Sequence, residues 1–113
     1  MAFKLRTKRP DARLKQIARV LEKYSETHPG ADVEAYRQDE YCVHIRIIDP
    51  AFKGVSRARR EDDLWRLLEE VPDDVVADIN VLLLLTPEEA RTSVGSFAFD
   101  HPLPPLLPRR KAR

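Results

Sequence analysis

One cysteine, Cys42, is the only thiol that 113 residues offer, so an internal disulfide is excluded and a reducing compartment is expected. Only three glycines occur. No glycine-rich phosphate loop, dinucleotide fingerprint or nucleophile elbow can be traced around them. No apolar run comes near the roughly 18 residues of a membrane span. The opening residues, MAFKLRTKRPDAR, carry charge but lack the apolar stretch of a secretory leader, so a soluble cytoplasmic chain is expected. Aromatic residues make up 7% and are not interleaved with the basic ones, which leaves little to stack on unpaired bases.

Charge, by contrast, is plentiful. Charged residues make up 35% of the chain, and the formal net charge of +1 hides a segregated pattern. Residues 53–60 hold four cations and no acid, whereas residues 61–90 hold ten acids and one cation. Basic blocks also lie at both ends. Such a surface orients encounters without naming the partner.

Residues 1–9 show no periodicity and read as a basic arm. Asp11 is placed to cap a helix whose apolar face is Leu14, Ile17, Ala18, Leu21 and Tyr24, ended by His28-Pro29-Gly30. The period then changes to two. ADVEAYR and YCVHIRII read as a hairpin, with Ala31, Val33, Ala35 and Tyr41, Val43, Ile45, Ile47 inward and Tyr36 outward. Ser56 caps a second helix with Leu64, Trp65, Leu68 and Val71 as its stripe, and DDVVADI adds a helical turn. INVLLLLT has a strand's length and lacks alternation, which suits a strand covered on both faces and parallel to the second one. Thr86-Pro87-Glu88-Glu89 starts a short last helix. The expected fold is α+β, in the order α-β-β-α(α)-β-α, with helices on one face of a three-stranded mixed sheet. It comprises one domain over residues 10–90, followed by a proline-rich basic tail over 91–113.

Three constellations carry candidate chemistry. Lys53, Arg57, Arg59 and Arg60 crowd a helix start, where backbone N–H groups already favour anions, and they are the candidate nucleic-acid contacts. The competing reading is local neutralisation, with Arg57 reaching Glu61 and Arg59 reaching Asp63 at i, i+4, and Arg66 pairing with its acidic neighbours. Cys42 and His44, two apart on one strand face, could ligate a soft metal only with donors from elsewhere, since even an open site needs three. The carboxylates of residues 61–74 look like a solvated helix face rather than an acid–base pair, so no enzymatic activity is expected. In the tail, Pro105 to Arg110 matches a P-x-x-P-x-R ligand for an aromatic groove.

The stretch VHIRIIDPAFKGVSRARREDDLWRLLEE, followed by ADINVLLLLT, resembles the BolA-like proteins, whose fold is akin to the class II KH domain. Phe52, Gly54 and Ser56 match the family's phenylalanine–x–glycine signature and following serine, and Arg60 matches the first arginine of its arginine–histidine–arginine helix start. Glu61 stands where the family has the histidine, and Asp62 where it has the second arginine. The resemblance implies one of two roles. The first is DNA-binding regulation through the basic helix start. The second is partnership with a monothiol glutaredoxin through a shared iron–sulfur cluster, for which a carboxylate at 61 is a poor substitute for imidazole. Nucleic-acid binding is therefore the preferred expectation, with the glutaredoxin adaptor and a plain protein–protein module as alternatives.

Overall fold

The computed structural model describes residues 2–102. The chain runs β1 (Ala2–Leu5), α1 (Ala12–Thr27), β2 (Asp32–Asp39), β3 (Cys42–Ile48), a 3-10 turn (Pro50–Phe52), α2 (Arg57–Leu67), a second 3-10 turn (Leu68–Glu70), α3 (Asp73–Val76), β4 (Ile79–Leu85), α4 (Pro87–Thr92) and α5 (Val94–Asp100). The four strands are ordered β1-β2-β3-β4. The central hairpin is antiparallel, and both outer pairings are parallel, reached through α1 on one side and through α2 and α3 on the other.

The class is α+β, as expected, but the sheet has four strands rather than three. The additional strand is β1, from the segment read as a loose arm, and it pairs in parallel from Ala2 opposite Asp32 to Leu5 opposite Ala35. Phe3 and Leu5 alternate with Lys4 and pack against the core. Two apolar residues in a highly charged segment are too short a pattern for period two to stand out.

The core lies between the sheet and α1, α2 and α3. Leu14, Ile17 and Leu21 of α1 meet Val33, Val43, Ile45 and Ile47 of the hairpin, and Leu64, Leu68 and Val75 close the other end. These are the stripes that the sequence periods mark, except Tyr41, which lies in the hairpin turn and is exposed. The helix starts follow capping chemistry. The Asp11 carboxylate accepts from Leu14 N–H at 2.8 Å, and the Ser56 hydroxyl accepts from Arg59 N–H at 3.2 Å. Thr86 and Glu89 form a reciprocal capping box.

Helices do not occupy one face only. The chain beyond residue 90, read as patternless tail, continues through α4 into α5, which covers the opposite face of the sheet. Phe99 of α5 is buried there against Tyr36, 5.0 Å between ring centroids, so Tyr36 is not the open outer residue that alternation implies. Packed elements thus also lie on both sides of residues 10–90, β1 before them and α5 after. The Pro105–Arg110 motif lies outside the described residues. Among the described residues, no helix is long and apolar enough to cross a membrane.

Among the described residues, Gly54 is the one with a positive φ, +79°, and a Cβ placed there would meet nothing within 4 Å. The cost of replacing it is therefore conformational and not steric. Gly54→Ala should lower stability by about 1–2 kcal/mol, read from the denaturant midpoint. An unchanged midpoint would mean that the turn relaxes to negative φ.

Candidate nucleic-acid interface

The candidate site is the link from β3 to α2. Asp49 ends the strand, caps the 3-10 turn through Ala51 N–H at 2.9 Å and accepts the Tyr24 hydroxyl at 2.8 Å. Burial and this carboxylate push the Tyr24 phenol far up, so it stays a donor. The turn closes by Lys53 N–H donating to the Pro50 carbonyl at 3.1 Å, and Val55 N–H donating to Phe52 at 3.0 Å. Gly54 turns the chain outward, and Ser56 starts α2.

The four cations expected to act together are divided. Lys53, Arg57 and Arg59 are exposed around the Gly54 turn. Arg60 is not: its side chain is 4% exposed. Its guanidinium donates to the Val55, Phe52 and Leu84 carbonyls at 2.9, 3.0 and 2.9 Å, and to the Glu89 carboxylate at 2.7 Å. It ties the turn to β4 and α4 from beneath, with all its donors directed inward, and has nothing left for a phosphate. Arg60 therefore leaves the candidate contacts and becomes the residue that positions the loop. The cue was available in the sequence. Helical spacing puts Arg60 on the same side as Leu64 and Leu68, four and eight residues on.

Neutralisation is partial. Arg59 reaches Asp63 at 3.4 Å, and Arg66 reaches the same carboxylate at 3.7 Å, as i, i+4 and i, i+3 spacing anticipates. The expected Arg57–Glu61 pair is not formed among the described residues. A shallow depression at the turn is lined by Gly54, Val55, Ser56, Arg59 and Asp63. Beside it runs a groove of about 410 Å³ between the end of α1 and the length of α2, with Tyr24, His28, Phe52, Leu64 and Leu67 in its walls. Here the His28 ring stacks on Tyr24, with centroids 3.8 Å apart.

Cys42 and His44 lie apart from this site, on the outer face of β3. Cys42 Sγ accepts from the Asn80 amide at 3.3 Å, and burial raises its thiol pKa. His44 Nδ1 shares a 2.9 Å hydrogen bond with the Tyr36 hydroxyl, and burial lowers the imidazole pKa, keeping it neutral near pH 7. Among the described residues no third histidine, cysteine or carboxylate joins them in a set that could hold a metal ion. An iron–sulfur cluster would thus need its remaining ligands from a partner, and His44 would have to bind through Nε2 or give up Tyr36. Glu61, at the position of the family's histidine, is exposed on α2. Comparisons with protein-family models, with curated proteins and with solved structures returned no match for this chain.

Proposed function

We propose that the chain is a non-enzymatic binding domain of BolA-like, class II KH-like type whose Lys53, Arg57 and Arg59 contact nucleic-acid phosphates. The observation that carries the reading is the exposure of these three cations around a positive-φ glycine turn at a capped helix start, where, among the described residues, Arg59 alone of the three forms a salt bridge. Backbone N–H groups of the first helical turn point to the same side and add to the attraction. The element order from α1 to α4, with an antiparallel pair followed by a parallel third strand, supports the resemblance. Phosphate contacts of this kind position a nucleic acid without reading its sequence.

Fluorescence anisotropy with a labelled DNA duplex and an RNA strand tests the proposal. Binding should be salt-dependent and strongest near about 50 mM salt, where counterion release is most favourable. Arg57→Ala with Arg59→Ala should flatten the plot of log K against log salt by about two contacts. Both side chains are exposed, so the melting temperature should hold. Flat curves for DNA and RNA at low salt and micromolar protein would overturn the reading.

A further inference from the structure

The two edges of the sheet are protected unequally. At the β1 edge, Lys4 is exposed and Arg6 follows the strand, and charge of this kind discourages pairing with another chain. At the other edge, β4 reads INVLLLL: seven residues with no charge and no proline. Its last turn is blocked. The Leu85 carbonyl faces β3 and accepts from Asp49 N–H at 2.9 Å, whereas the Leu84 carbonyl faces away and is taken by Arg60 at 2.9 Å. Alternation from Leu84 then places both backbone polar groups of Leu82 on the open side, since the register with β3 is regular from Val81 to Leu85. The strand from Ile79 to Leu83 is only partly covered.

A second apolar feature adjoins this edge. α5 lies against β4, close enough that a Cβ on Gly95 would stand 3.2 Å from Leu83 Cδ2. That helix exposes Val94 (83%) and Phe97 (66%), two of the four exposed large hydrophobic side chains among the described residues.

We infer that the open edge of β4 pairs antiparallel with β4 of a second copy of this chain. A two-fold axis through Leu82 opposes that residue to its own copy, with the exchange of both hydrogen bonds, and opposes Val81 to Leu83 of the second copy twice. Every residue so opposed is apolar, and no like charges meet. The strand offers no counter-charge to an acidic or basic peptide, which favours its own copy as the occupant. Because the axis is normal to the sheet, both copies of α5 lie on the same face, each with exposed Val94 beside the Gly95 that meets Leu83. The pairing leaves Lys53, Arg57 and Arg59 free, so it stands apart from the proposed nucleic-acid contact.

Sedimentation velocity and concentration-dependent amide exchange on the full chain test this. The mass should rise from 13.1 kDa towards twice that value with concentration, and the Leu82 amide should exchange more slowly as it does. Asn80→Lys, at an exposed position, gives β4 the charge that β1 already carries and should weaken association by about tenfold or more. A chain that stays monomeric at NMR concentrations overturns the inference. So does a dimer in which Leu82 exchanges as fast as in dilute solution, since its contact would lie elsewhere.

Discussion

Arg60→Ala should cost about 3–5 kcal/mol of folding stability and lower the melting temperature by more than about 10 °C. The guanidinium holds four partners at once, the carbonyls of Phe52, Val55 and Leu84 and the Glu89 carboxylate. Truncation leaves three carbonyls and a carboxylate to find water through a site that the aliphatic stem also helps to fill. Arg60→Lys should recover little, because one ammonium cannot span acceptors spread over the loop, β4 and α4. Arg57→Ala, three residues earlier in the sequence but at an exposed position, should stay within about 0.5 kcal/mol of the parent. Any loss of the proposed nucleic-acid affinity in an Arg60 variant is therefore expected to accompany loss of fold. An Arg60→Ala protein with parental melting and lost affinity would restore it to the contact set.

The same contact gives stability a pH dependence of defined sign. The Arg60 guanidinium, and after it the Thr86 N–H, hold the Glu89 carboxyl at about 2, below the ordinary 4.5. The unfolded chain binds more protons than the folded one in that interval. The contribution of Glu89 is thus complete above pH 4.5 and is lost progressively as the pH falls towards about 2. Glu89→Gln removes this group from the titration, so its denaturant midpoint should vary less than the parent's across the same window. Parallel pH profiles for the two proteins would show that Glu89 is equally acidic when unfolded.

What the sequence displays and what it conceals follow from the length of each signal. α1 and the hairpin were legible because Leu14, Ile17 and Leu21, then Val33, Val43, Ile45 and Ile47, repeat long enough to fix a period. Asp11, Ser56 and Thr86 were legible as caps because a hydroxyl or carboxylate before an apolar repeat has one efficient use. β1 was hidden by its four-residue length, and its pairing with β2 depends on chain that comes 30 residues later. α5 was hidden because only Ser96 and Phe99 of its residues are buried, and their partners, Arg46 and Tyr36, read as solvent-facing by alternation. The cationic cluster was visible as a cluster. Its division into three exposed members and one internal member follows only when the Leu64 and Leu68 stripe is carried back one turn to Arg60.

Phe99→Ala should release α5 from the sheet, at a cost of up to about 3 kcal/mol. A seven-residue helix has no stability of its own in water, so its order must come from what it buries. That is chiefly one ring. Phe99 is 2% exposed, edge-on to Tyr36, with the guanidinium groups of Arg6 and Arg46 each 4.6 Å from its centroid. Around it, Arg46 pairs with Asp100 at 2.9 Å and donates to Ser96 Oγ at 2.9 Å, while Arg6 donates to the Phe99 carbonyl at 2.7 Å. These polar ties are favourable only while the ring keeps water out. Once it is removed they become solvated pairs worth about 0–1 kcal/mol each, too little to hold the helix in place. The loss should be local: the amide of Phe97 in α5 and that of His101, its C-cap, should lose exchange protection, whereas amides of α1, packed on the opposite face, should keep theirs. Retained protection at Phe97 and His101 would instead assign the anchoring of α5 to the arginines and their carboxylates.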